Sequence, residues 1–410
     1  MKSRFLLSSL LAVVVQQSLV ESFAPHHRHT PTTTTSLSSS SLDLDYIKKN
    51  GGGIPMVPAG DFLLFDPSEQ GKLTSCKERI ASGVSFDYLS TAKPVTPTVP
   101  VPETLDAAQN FLEDIAGSPF AKANAPAQAT VLGRVPLITE AAPGDIQHVL
   151  MQLPEGMHYL EGQSISVIPP GLNEKGKPHK PRLYSIASTR YGELLDGKTV
   201  SLCVRRAEYV DPATGQVDPA KKGVCSNYLC DITPGEKVQV AGPVGKSMLL
   251  PDNYQNTDLI MVATGTGIAP FRAFLRRLFA ENTVARHLYN GQAWLVLGVP
   301  VTGGLLYHDE FQEMMQTHPQ NFQATYAISR EMTNKYDGGK LYVQHVLTEN
   351  AQVILERLNN GAHIYFCGLK GMMPGILEAL EQVVTQQYGL DWKEYLSDLK
   401  KKGQWHVEVY

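Results

Sequence analysis

Cysteine is scarce: the 410 residues hold five, at Cys76, Cys203, Cys225, Cys230 and Cys367. So few and so scattered a set excludes a disulfide scaffold, and reduced thiols are expected. Cys225 and Cys230 have the opening spacing of an iron–sulfur site, but Thr233 stands at the next ligand position, so no cluster is encoded. His-Glu-x-x-His and Cys-x-x-Cys are absent, and no metal is expected. An excess of one charge is lacking too. The formal net charge is −4, which argues against nucleic acid and against general attraction to anionic membranes. The N-terminal hydrophobic run, Phe5 to Val15, is too short to cross a bilayer. What remains is ordinary globular composition, 42% hydrophobic and 19% charged, in a chain long enough for two or three domains.

Lys2 and Arg4 precede the Phe5–Val15 run, and Val20 and Ser22 follow it, which is the layout of a cleaved signal peptide. From Ser22 to Leu42 there is no acidic residue, but there are Arg28, histidines and a dense run of Thr and Ser. That is transit-peptide composition, so residues 1–41 are expected to form a bipartite targeting presequence. Residues 42–127 read as an N-terminal extension and linker. Pro94, Pro97, Pro100 and Pro102 favour extended backbone, and Leu105, Ala108, Leu112 and Ile115 recur at helical spacing before Gly117. This stretch is expected to act as a spacer or docking segment.

From residue 128 the pattern changes to short runs rich in Val, Ile, Tyr and Ser between Gly and Pro turns, among them 163–168 and 199–204. These predict a closed antiparallel β-barrel over 128–252. Over 253–410 apolar runs at 259–263, 293–299, 322–329 and 363–367 alternate with helical patterns. That order predicts an α/β domain, a parallel sheet covered on both faces.

The first of these runs enters Thr264-Gly265-Thr266-Gly267-Ile268-Ala269-Pro270 and then a helix with Phe271, Phe274, Leu275 and Leu278 on one face. Glycines let backbone N–H groups approach a phosphate, and proline suits a first helical turn, so the segment reads as a pyrophosphate seat. The acidic residue that an NAD site supplies to the ribose is missing; Gly298-Val299-Pro300 ends the second strand. Ser329 and Arg330 end the third, with Lys340 and Tyr342 beyond. A hydroxyl, a guanidinium, an ammonium and an aromatic ring suit a ribose 2′-phosphate, which points to NADP. In Arg182-Leu183-Tyr184-Ser185, strand alternation puts Arg182 and Tyr184 on one face, a charge for a diphosphate beside a ring for a planar heterocycle.

Seven blocks in order resemble plant-type ferredoxin–NADP reductase: Arg182 to Ser188, Gly223 to Asp231, Gly242 to Lys246, Gly265 to Arg272, Ser329 to Glu331, Cys367 to Met372, and Val407 to Tyr410. The resemblance covers residues 128–410 and implies an FAD-binding barrel followed by an NADP-binding α/β domain. It implies that Arg182, Leu183, Tyr184, Ser185, Cys203, Val204, Arg205, Tyr209, Val224, Cys225 and Ser226 bind FAD. Thr266, Val299, Pro300, Ser329, Arg330, Lys340, Tyr342, Gly368 and Leu369 are implied to line the NADP path. Tyr184 and Tyr410 are implied to sandwich the flavin, with Ser185, Cys367 and Glu408 around the nicotinamide. These five are the expected catalytic set, and Tyr410 must leave its stacked position to admit nicotinamide.

The implied activity moves single electrons from reduced ferredoxin through FAD to NADP+ as a hydride; running in reverse, it would reduce ferredoxin with NADPH. Ferredoxin is acidic, so Lys177, Lys180, Lys400, Lys401 and Lys402 are docking candidates, and flavodoxin is an alternative carrier. The join Ser22-Phe23-Ala24-Pro25 resembles the presequence of algae with secondary plastids, which implies the plastid stroma, with residues 42–127 a potential tether to a thylakoid membrane complex. Ala263, Thr302-Gly303-Gly304 and a long Tyr209–Lys222 connection depart from the family pattern.

Overall fold

The computed structural model describes residues 119–194, 197–281 and 284–410, together with three short strands nearer the N-terminus. These strands, β1 (Met56–Val57), β2 (Asp61–Phe65) and β3 (Leu73–Ser75), form a small antiparallel sheet in that order. Within the extension, the hydrophobic Asp61–Phe65 stretch is the central strand of this sheet. The expected presequence, the proline-rich stretch and the helix around Leu105–Ile115 lie outside the described residues.

The expected barrel is present. Its strands are β4 (Ala127–Pro136), β5 (Ile146–Gln152), β6 (Ser164–Ile168), β7 (Arg182–Ser185), β8 (Thr199–Arg205) and β9 (Lys237–Val244). They pair antiparallel in the order β7-β6-β9-β4-β5-β8. The two outer strands are joined where Ile186 bridges Leu202 and the Ala187 N–H donates to the Ser201 carbonyl at 2.9 Å, which closes the sheet. β-branched residues fill the interior, including Val131, Val149, Ile165, Val167, Val200, Val204, Val238 and Val240. Leu229 and Cys230 of helix α1 (Val224–Asp231) join that core.

The second sheet holds β10 (Leu259–Thr264), β11 (Ala293–Val299), β12 (Phe322–Ile328), β13 (His363–Gly368) and β14 (Trp405–Val409), in the order β12-β11-β10-β13-β14 and parallel throughout. The four apolar runs are its strands; β14 is a fifth that the sequence pattern did not mark. Alternate residues of β10 serve two cores, Leu259, Met261 and Ala263 on one face and Ile260 and Val262 on the other. The covering helices are α2 (Ala269–Leu275), α3 (Val284–Leu288), α4 (His308–Thr317), α5 (Val343–Glu349), α6 (Ala351–Asn359), α7 (Met373–Tyr388) and α8 (Trp392–Lys401). Both sheets lie within one compact unit, residues 41–410, and Ile146, Ala187 and Cys203 of the barrel side pack into the core under β10.

Candidate active site

The strand order reverses at β10, from which the chain moves first to β11 and β12 and later returns to β13 on the other side. A crevice at the carboxyl ends of β10 and β13 is where an open α/β sheet binds its ligand. Here the two strands end in Gly265–Ile268 and in Gly368-Leu369, which touch each other. The Leu369 N–H donates to Thr264 Oγ1 at 2.9 Å. A Cβ on Gly267 would overlap the Cys367 carbonyl, and Gly368, at φ 133°, lies against Thr264. Only glycine allows that approach and that conformation.

β14 brings the catalytic candidates together. Its register sets Glu408 beside Cys367. The Glu408 carboxylate crosses to the barrel, where Oε1 accepts from Ser164 Oγ and Ser185 Oγ, both at 2.9 Å. The Cys367 thiol hydrogen-bonds Ser185; burial, followed by the Glu408 charge, pushes its pKa up to about 12, so it remains a neutral thiol. Tyr410 is clipped at the end of β13: its N–H donates to the Gly368 carbonyl at 3.0 Å, and its own carbonyl accepts from Lys370 N at 2.9 Å. Its hydroxyl meets Thr266 Oγ1 at 2.5 Å, while the residue stays 59% exposed. Ser164 is a site residue that the strand pattern alone did not reveal; its signal is the antiparallel pairing with Ser185.

Tyr184 leans on the barrel core, its hydroxyl paired with the Cys225 thiol, and burial raises the pKa of both groups. Gly223 precedes α1, where a Cβ would lie 2.7 Å from Ala207 Cβ. The first N–H groups of this helix have no side-chain cap, which suits a phosphate, and exposed Arg182 stands near enough to Cys225 to favour its thiolate. Ser226 Oγ accepts from Ala207 N at 3.1 Å. Tyr209 and Val224 are exposed, with Lys221 Nζ 4.6 Å above the Tyr209 ring. The Cys203 and Val204 side chains do not face this cleft. Cys203 is turned to Tyr307, burial lifting its thiol to about 12, and Val204 is in the barrel core. Arg205 is exposed and close enough to Tyr410 to act on it electrostatically. These residues fit a flavin dinucleotide: Leu183, Val224, Leu369 and Tyr410 leave large apolar surfaces open, such as a planar ring system covers.

The 2′-phosphate candidates gather at the ends of β11 and β12. Ser329 N and Arg330 N donate to the Val299 and Pro300 carbonyls, both at 2.9 Å, while the Val299 side chain faces the core. Beyond them Thr333 and Lys340 bridge a tight loop. Buried Asn334 organises it: Oδ1 accepts from Tyr336 N at 2.9 Å and Nδ2 donates to Asp337 Oδ1 at 2.8 Å. Two exposed rings, Tyr336 and Tyr342, flank His345 at 6.0 Å each. Nothing in the sequence marks Tyr336, which stands in a loop without periodic pattern, or His345, which stands in the first turn of α5.

Residues 261–378 match the oxidoreductase NAD-binding domain family. The chain is 54% identical over 291 residues to the embryo isozyme of chloroplastic ferredoxin–NADP reductase from Oryza sativa, covering 70% of this chain and 76% of that one. It is 56% identical to root isozyme 2 from Arabidopsis thaliana, over 66% of this chain and 70% of that one. With the Chlamydomonas reinhardtii enzyme it shares 51% over 70% and 80%. Among solved structures, Plasmodium falciparum ferredoxin-NADP+ reductase superimposes with a TM-score of 0.56 at 26% identity, covering 71% of this chain and 98% of that one. With identities above one half over more than two thirds of these relatives, the chain belongs to the ferredoxin–NADP reductase family.

Proposed function

We propose that the protein is a plastid flavoenzyme that takes single electrons from reduced ferredoxin and delivers them to NADP+ as a hydride. Residues 128–252 form its FAD-binding domain and residues 253–410 its NADP-binding domain. The observation that carries this reading is the Glu408 carboxylate, brought by the last strand of the parallel sheet onto Ser164 and Ser185 of the barrel. Bound FAD supplies the conversion between one-electron and two-electron transfer.

The chain's own groups orient and protect that exchange. With FAD bound, Tyr184 and Tyr410 would be the aromatic partners of the flavin ring, Arg182 and the start of α1 would hold the diphosphate, and Tyr209 would serve the adenine end. Glu408, half-buried, could pass a proton through Ser185 Oγ to a bound flavin; the neutral Cys367 thiol would lie beside the nicotinamide without adding charge. Thr266, Gly368 and Leu369 border the coenzyme path, and Ser329, Arg330, Lys340 and Tyr342 select the 2′-phosphate. Exposed Lys177, Lys180, Lys400 and Lys401 are the docking candidates for an acidic carrier, ferredoxin or flavodoxin. The stroma is the proposed compartment, and residues 42–127, with their small sheet, the proposed link to a thylakoid complex.

The test combines the purified protein's flavin spectrum with NADPH formation from reduced ferredoxin. A yellow protein whose NADPH formation depends on ferredoxin supports the reading; a colourless one, or a rate indifferent to ferredoxin, overturns it. Glu408→Gln should retain flavin and lose roughly 100-fold in turnover, the scale of a positioned proton-transfer group.

A further inference from the structure

The pyrophosphate turn and the flavin-facing strand are joined by one side chain, which lies outside the expected set. Arg272 stands in the first turns of α2, four residues beyond Ile268, and is 1% exposed. Its guanidinium uses all five N–H groups. Nη1 donates to the Ala187 carbonyl at 3.0 Å and to Glu193 Oε2 at 2.8 Å. Nη2 donates to Glu193 Oε1 at 2.8 Å and to Glu310 Oε1 at 2.7 Å, and Nε reaches Glu310 Oε2 at 3.0 Å. Ala187 is two residues beyond Ser185, the hydroxyl that meets Glu408. Arg272 thus spans from the phosphate seat to the strand expected to hold the flavin edge.

The surroundings reinforce the connection. Arg276 also contacts Glu193, and it meets Glu281 at 3.1 Å; Arg277 donates to Glu161 at 2.8 Å. Thr189 Oγ1 donates to Glu281 at 2.6 Å. The Arg272 guanidinium lies 4.4 Å over the Tyr307 ring, and Tyr307 is the one non-glycine residue with positive φ, 57°, among the described residues. Its hydroxyl meets His148 Nδ1 of the barrel at 3.0 Å. Backbone held in a sparsely populated region needs surroundings that over-determine it. Taking several charges out of water costs several kcal/mol each, and a well-packed apolar seam often holds two bodies together as firmly. An ionic seam adds direction: a two-pronged guanidinium between two carboxylates and a carbonyl permits one register, which an oily contact would not.

We propose that Arg272 is a positioning residue that fixes the spacing between the pyrophosphate turn and the flavin-facing strand, and so sets the hydride-transfer rate independently of coenzyme affinity. The proposal rests on the reductase reading. Geometry of this kind matters because misplacement by about 1 Å can cost on the order of 100-fold in rate.

The test uses the flavin-loaded full chain, following flavin reduction by NADPH in stopped flow and binding of 2′-phospho-AMP, which probes the adenosine end alone. Arg272→Lys keeps the charge and loses the fork. It should slow flavin reduction at saturating NADPH by tenfold or more, with 2′-phospho-AMP affinity and flavin content within twofold of the parent. Glu310→Gln, which alters one partly exposed arm, should give a smaller loss of the same kind and serves where Arg272→Lys does not accumulate folded. A saturating rate within twofold of the parent in a folded variant overturns the proposal, as does an equal fall in rate and 2′-phospho-AMP affinity. Should NADPH fail to reduce the flavin of the parent itself, the reductase reading falls instead.

Discussion

Replacing Gly267 with alanine adds one carbon at the closest contact in the crevice. That carbon would overlap the carbonyl carbon and oxygen of Cys367 and lie 2.6 Å from Gly368 Cα. Carbon atoms rest at about 3.5–4.0 Å, so the pyrophosphate turn and the end of β13 must separate by roughly 1 Å. These three nearest atoms are all backbone, and no rotamer change relieves the clash with them. Overpacking of this kind costs about 1–3 kcal/mol of stability. The functional cost is larger, because the separation lies between the phosphate seat and the strand that carries Cys367 and anchors Tyr410 through Gly368. At about 1 Å of displacement, flavin reduction by NADPH should fall on the order of 100-fold. Gly375→Ala is the control. It lies within α7, where the three atoms nearest the new carbon belong to the Gln344 side chain at 3.3–3.4 Å, and helical alanine is favoured over glycine by about 1 kcal/mol. Stopped-flow reduction and urea unfolding of both variants decide the matter. A folded Gly267→Ala protein reduced at the parental rate would refute the argument.

Three further outcomes are expected. Tyr410→Ser should strengthen nicotinamide occupancy and raise NADH turnover relative to NADPH, read from difference spectra and the ratio of kcat/KM; an unchanged ratio counts against a gate. Lys340→Ala should raise the KM for NADPH about tenfold, the scale of one charge-assisted hydrogen bond, with NADH kinetics unaffected; equal effects on both coenzymes would place Lys340 outside the 2′-phosphate corner. Glu281 has its pKa raised from 4.5 to about 7 by burial, against the pull of Arg276 and Thr189. Between those values the folded state holds the extra proton, so this group's contribution to stability is full below pH 4.5 and is lost as pH rises through 7, by about 3 kcal/mol. Urea midpoints of Glu281→Gln should therefore gain on the parent between pH 5 and 8, and a difference flat with pH contradicts the assignment.

Much of this architecture is visible in the chain because its strands are short, apolar and separated by turn residues. Arg182–Ser185 and Ala293–Val299 are strands with the bounds the pattern predicts. Trp405–Val409 escaped because a charged Glu408 and a His406 interrupt its apolar pattern, and its place beside β13 follows from pairing and not from periodicity. The catalytic set was legible through family blocks, whereas Ser164 is recruited by the antiparallel register. The ionic seam was invisible for another reason: Glu161, Glu193 and Arg272 are far apart in sequence and look like ordinary surface charges until the fold buries them.

The four cysteines among the described residues are free and buried. Burial keeps Cys203, Cys230 and Cys367 up at about 12 and raises Cys225, so at neutral pH almost none of this sulfur is thiolate. Peroxides and disulfides react with the thiolate, and reaching these atoms would first require the chain to open. Burial thereby keeps these four thiols out of thiolate chemistry, even though one of them, Cys367, stands beside the catalytic candidates Ser185 and Glu408. Oxidants that a reactive thiol would record find none among these four, so the described residues carry no sulfur memory of the electrons that pass.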